Sequence, residues 1–255
     1  MTWSEFIYFV LPAIVLWIAS GYAVYRNERV ANLLMLCGMA IFALFIALFW
    51  VEIERAPMRT MGETRLWYSM FLSLVGYVSY LRWRYGWLLS FSAVVASIFV
   101  AVNLVRPEIH SKTLMPALQS VWFIPHVTSY ILSYAMFGAA TIGALIILCN
   151  KNKEQEILPF VDNIIYVGYG FLMLGLLMGA LWAKDAWGHY WSWDPKECWA
   201  FITSAAYLGY IHLRLSGKRH TTMALALAIL AFLLLMITWL GVGYLPSAQG
   251  SIHIY

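Results

Sequence analysis

Eight apolar runs, each near the length of a bilayer crossing, follow one another along the chain with only short polar turns between them. A helical crossing of the hydrocarbon core needs about 20 mainly apolar residues. The runs fall near 5–25, 30–50, 66–81, 87–105, 122–149, 160–182, 199–215 and 222–244. Lipid offers no water to backbone N–H and C=O groups, so each run must satisfy them internally as an α-helix. Only 11% of the residues are charged and 63% are hydrophobic, against roughly a quarter charged in a soluble domain. The expected fold is all-α, a polytopic membrane helix bundle of about eight transmembrane helices. The third run is short and polar, with Ser69, Ser73, Gly76 and Ser79 offering a small-residue packing surface.

Alternate turns divide the basic residues. Arg26, Arg29, Arg82, Arg84, Lys151, Lys153, Arg214, Lys218 and Arg219 are nine of the sixteen Lys and Arg residues, and they sit in very short turns. The positive-inside rule acts most strongly there, so this set is assigned to the cytoplasm. Both termini and the segment around 183–199 are then extracytoplasmic. The first apolar run lacks a basic leader and a small-residue cleavage site, and is read as a retained helix. The formal charge of +4 is small and scattered, which argues against nucleic acid as a partner.

The stretch Trp187 to Trp199 reads WGHYWSWDPKECW and holds four of the chain's thirteen tryptophans. Interfacial aromatics are common at membrane surfaces, but this density on one short segment points to a platform for a large planar apolar ligand, and haem is the candidate. Trp187, Tyr190, Trp191, Trp193 and Trp199 would supply the stacking surface. Asp194 before Pro195 favours a tight turn and accepts backbone N–H groups. Lys184, Lys196 and the arginines of the outer loops are candidates for haem propionates.

Six histidines are present. His126 and His253 fall on the same side as the tryptophan segment, and haem iron accepts two axial imidazoles from opposite faces. The competing reading makes His126 an interfacial residue and His253 part of a loose tail. His212 lies about 20 Å further along the helix from Trp199, inside the membrane, where ionisable residues by default mark function; snorkelling to the surface with Arg214 is the other reading. His110 and His220 read as solvated, and His189 as lining the platform or capping a turn. Cys37, Cys149 and Cys198 form no CxxC pair and no CxxCH, so the chain is not itself a c-type cytochrome.

The segment WGHYWSWDPKECWAF, followed by a helix ending YLGYIHLR, resembles the WWD signature of the CcsA (ResC) proteins of system II cytochrome c biogenesis. MPALQSVWFIPHVTSYILSYA is similar to that family's segment around its first external histidine, and TWLGVGYLPSAQGSIHIY to the segment ending in the second. The likeness covers residues 114–255, with residues 1–110 as membrane helices without a matched motif.

The resemblance implies that His126 and His253 are external axial ligands to haem b and that His212 is an intramembrane ligand on the route from the cytoplasmic side. It further implies a CcsB (ResB) membrane partner supplying the opposing intramembrane histidine. Together the two would form a holocytochrome c synthase of a bacterial inner membrane, attaching haem by thioether bonds to the CxxCH segment of an apocytochrome c. A CcmC-type haem exporter has a similar loop but reads WVWDARLT where this chain has WSWDPKEC. A b-type electron-transfer subunit would carry paired intramembrane histidines, where this chain has one.

Overall fold

A computed structural model describes residues 2–106, 116–217, 220–248 and 251. His110 and His253 lie outside the described residues. Eight α-helices and no strand are found among those described. Two compact units, Met1–Leu114 and Met115–Tyr255, divide the chain.

The first unit contains α1 (Phe6–Ala23), α2 (Glu28–Ile53), α3 (Met61–Trp83) and α4 (Gly86–Val105). Consecutive helices pack together, and α1 also packs on α4. Aromatic rings fill the α1–α2 seam, with Phe6 against Phe45 at 4.8 Å and Trp17 against Phe42 at 5.3 Å. Hydroxyls cross between helices: Ser20 donates to the Ala31 carbonyl and Ser90 to the Gly21 carbonyl. At the start of α3, Thr60 and Glu63 form a capping box. Buried Glu63 also receives both terminal nitrogens of Arg55, at 2.8 and 2.7 Å. In the α2–α3 connection, burial and the neighbouring Arg55 hold the Arg59 guanidinium below its ordinary pKa, with Glu63 opposing them.

The second unit contains α5 (Phe123–Cys149), α6 (Glu154–Trp187), α7 (Pro195–Leu215) and α8 (Thr221–Met236). A π-helical turn, Ile237–Gly241, and a short 3-10 turn, Val242–Tyr244, continue α8. The longest seam joins α5 to α6; α7 packs on α8, α8 returns to α5, and α6 touches α7.

Six of the eight helices are long and apolar enough to cross a membrane. α3 and α7, at 23 and 21 residues, rise about 34 and 31 Å, so their length suffices and their polarity sets them apart. Some of their hydroxyls bond back within the helix, Ser69 to the Arg65 carbonyl and Thr203 to the Trp199 carbonyl. α6 runs 34 residues, about 51 Å, well past a hydrocarbon core of about 30 Å. Its last residue is Trp187, and α7 already starts at Pro195, so the tryptophan segment is non-helical only over 188–194. The expected loop 183–199 is therefore mostly helix end and helix start.

Far along the second unit, Arg214 of α7 grips Asp162 of α6 with Nε and Nη2, both at 2.8 Å. Tyr210 donates to the same carboxylate at 2.7 Å, and Arg214 Nη1 reaches Thr221 of α8 at 3.1 Å. Three helices are thereby fixed at one end by a single bidentate ion pair.

Candidate functional site

α5 presents His126, Tyr130 and Phe137 toward α6, and α6 answers with Gly179, Gly175 and Gly168. The spacings, four then seven, match in opposite directions along an antiparallel pair, so each ring seats in a hole that a side chain would fill. A Cβ at Gly179 would stand 2.7 Å from His126 Nδ1, and one at Gly175 would stand 2.3 Å from Tyr130 Cδ1. Glycine is required here by close approach of the two helices.

His126 is held on three sides. Nδ1 lies 2.8 Å from the Gly175 carbonyl oxygen; since that oxygen only accepts, Nδ1 carries the proton and Nε2 is the basic nitrogen. The Trp182 ring stacks on the imidazole, centroids 5.4 Å apart and planes 24° apart, while Tyr130 tilts against it at 4.6 Å. Trp182 is itself anchored, its Nε1 donating to the Ala117 carbonyl at 2.7 Å. A backbone carbonyl on one ring nitrogen is the usual means of orienting a histidine that ligates metal through the other.

The tryptophan signature joins this frame at its first residue. Trp187 meets Trp182 edge to face at 4.8 Å, and both belong to a cluster with Leu118 and Phe123. Further on, Trp191 meets Trp193 at 5.9 Å, and Trp193 meets Phe201 of α7 at 6.4 Å. Tyr190 and Trp193 are exposed, Trp193 at 68%. Lys184 donates to the Gly188 carbonyl and sits 5.6 Å over the Tyr190 ring.

Two carboxylates at the start of α7 organise the turn. Asp194 is the N-cap, accepting the Lys196 N–H at 3.0 Å, and forms a capping box with Glu197. Glu197 Oε2 reaches back for the N–H groups of Ser192 and Asp194, at 2.8 and 3.1 Å. This holds Trp193 in the left-handed region, φ +61°. Cys198 is unpaired, and its thiol donates to the Trp193 carbonyl.

His126 and Trp187 are thus brought together, and Trp191 with Trp193 forms a neighbouring aromatic group. Trp199 is half-buried on the first turns of α7, while His189 is exposed. His212 stands apart: it is exposed and lies in the last turn of α7. His253 lies outside the described residues. The sequence reading missed Trp182, Gly175, Gly179 and Glu197. The matched spacing of glycines on one helix and rings on the next was the available signal for the first three, with the capping pattern Asp-x-x-Glu for the fourth.

A family model described as cytochrome C assembly protein matches residues 3–248. The chain belongs to that family. It is 30% identical to the cytochrome c biogenesis protein CcsA of Panax ginseng, over 77% of each chain. CcsA of Mesostigma viride is 28% identical over 95% of this chain and 93% of that one, and CcsA of Prochlorococcus marinus 26% over 86% and 82%. Among solved structures, the cytochrome c heme lyase CcmF superposes with a TM-score of 0.69 at 17% identity. That match takes in 97% of this chain and 48% of CcmF, so the chain spans about half its length and shares its fold. The chain is a CcsA-type cytochrome c assembly protein, and the family resemblance, expected over 114–255, extends over nearly its whole length.

Proposed function

We propose that the second unit holds haem b at the extracytoplasmic membrane surface and presents it for attachment to the CxxCH segment of an apocytochrome c. His126 and His253 are the axial ligands, and the aromatic surface of Trp187, Tyr190, Trp191, Trp193 and Trp199 receives the ring, with Asp194 fixing the turn that displays it. The reading is supported by the seating of His126: a donated Nδ1 proton leaves Nε2 as the atom able to ligate, and the ring shares a wall, Trp182, with the first signature tryptophan. The names of CcsA relatives and of the CcmF heme lyase fit the same reaction class.

In the reaction, each cysteine S–H adds across a haem vinyl group, forming a C–S bond and placing the hydrogen on the adjacent carbon, with no leaving group. The chain's part is to hold and orient, since proximity of thiol and vinyl can supply several kcal/mol of the barrier. His212, exposed on the last turn of α7, serves as an intramembrane ligand completed by a histidine from a CcsB-type partner. The basic turns lie in the cytoplasm and both termini outside.

The test is His126→Ala in the full chain, co-expressed with its partner and a CxxCH reporter. Covalent haem on the reporter should disappear and return in part when imidazole fills the vacated axial position. Undiminished attachment with an unaltered haem spectrum would refute the proposal.

A further inference from the structure

The turn that displays Trp193 is built as an anion cradle, and the anion belongs to the chain itself. Glu197 Oε2 accepts the N–H of Ser192 at 2.8 Å and that of Asp194 at 3.1 Å, with the Ser192 hydroxyl at 3.3 Å. N–H groups converging on one oxygen around a left-handed residue form a nest, a backbone concavity suited to an anion. Trp193 is the residue between them, at φ +61°. Its own carbonyl accepts the Cys198 thiol at 3.3 Å. Two consecutive residues of the first turn of α7 thus hold the peptides on either side of the Trp193 Cα. The other carboxylate faces different donors, since Asp194 takes the Lys196 N–H and the Ser251 hydroxyl, each at 3.0 Å. Glu197 is buried, at 8% exposure, whereas Trp193 stands 68% exposed.

Left-handed backbone disfavours a residue with a Cβ by a factor of about 5–30. A buried carboxylate therefore keeps an exposed tryptophan in a conformation that its own backbone resists. We infer that Glu197 is a positioning residue for ring capture: by filling the nest it fixes the direction in which Trp193 offers its indole to the planar ligand. The inference rests on the proposed reception of haem by Trp193. If φ relaxed to the ordinary range of about −60° to −160°, the Cα–Cβ direction would turn with it. The indole would then leave the centroid separation of about 4.5–7 Å at which aromatic rings attract one another.

The test is a mutant cycle in the full chain, co-expressed with its partner and a CxxCH reporter. Attachment at limiting haem, the haem spectrum and the thermal inactivation midpoint are read on each preparation. Glu197→Gln leaves a neutral acceptor of the same size, whose bonds are about half as strong, and attachment should fall about ten-fold. Glu197→Asp keeps the negative charge at the start of α7 but withdraws the oxygens by about 1.5 Å, out of hydrogen-bond reach of the nest, and should fall equally. Trp193→Gly should itself fall about ten-fold, with Trp187, Tyr190, Trp191 and Trp199 still in place. Glycine adopts left-handed backbone freely, so adding Glu197→Gln to Trp193→Gly should lower attachment no further. Parental attachment in Glu197→Gln would overturn the positioning role. So would parental attachment in Glu197→Asp, which would mark an effect of charge on the helix terminus alone. A further ten-fold loss in the double variant would overturn it as well, marking a structural contact independent of Trp193. Parental attachment and haem spectrum in Trp193→Gly would overturn ring reception by Trp193 and this inference with it.

Discussion

Gly179→Ala separates the seating of His126 from the stability of the bundle. The new Cβ would stand 2.7 Å from Nδ1 and 2.8 Å from Cε1 of the imidazole. Ordinary contact begins near 3.4 Å, so the ring must retreat by about 0.7 Å. A shift of that size along the 2.8 Å bond to the Gly175 carbonyl stretches it to about 3.5 Å, beyond useful hydrogen bonding. Overpacking costs about 1–3 kcal/mol, but alanine recovers about 1 kcal/mol of helix propensity relative to glycine. Net destabilisation should therefore stay below about 2 kcal/mol and the protein should fold. Misplacement of a ligand by about 1 Å can lower a rate about 100-fold. The assay is haem attachment to a CxxCH reporter, with the haem spectrum and thermal inactivation midpoint measured on the same preparation. Gly170→Ala is the control, since a Cβ there meets nothing within 4 Å and should leave attachment unchanged. Parental attachment and spectrum in Gly179→Ala would refute the reasoning that close helix approach sets the imidazole.

Trp182→Phe keeps a ring against His126 but forfeits the bond to the Ala117 carbonyl; stability should drop about 1 kcal/mol, measured by thermal inactivation, with haem coordination preserved. Asp162→Ala strands the Arg214 guanidinium and the Tyr210 hydroxyl, so the inactivation midpoint should fall by the equivalent of about 2–3 kcal/mol; an unmoved midpoint would show the ion pair contributes nothing. His212→Ala should lower the haem copurifying with the partnered complex, quantified by pyridine haemochrome, without moving the midpoint.

Hydropathy makes the eight helices legible because lipid leaves the backbone no alternative, and each predicted run overlaps one observed helix. What it misplaces are the ends near the tryptophans. Trp187 finishes α6 and Pro195 opens α7, since a helix emerging into the interface continues while its own packing, here the Trp182–Trp187 contact, supports it. His126 was visible as a histidine at a helix start, but its ring orientation depends on Gly175 and Gly179, which become neighbours only once the α5–α6 register is fixed. The Asp162–Arg214 pair and the Ser251–Asp194 bond join residues 52 and 57 positions apart. Such pairings have no local pattern in sequence and follow from topology alone.

Trp193 sits in a backbone conformation that penalises every residue with a Cβ by roughly 1–2 kcal/mol. Glycine would be the relaxed occupant of that position, yet the chain places its bulkiest side chain there and leaves it largely in the open. Under the proposed haem-binding role, the turn is a point where folding and ligand capture pull in opposite directions. Variants selected only for thermal robustness should drift away from tryptophan at this site, whereas selection for cytochrome c maturation should hold it.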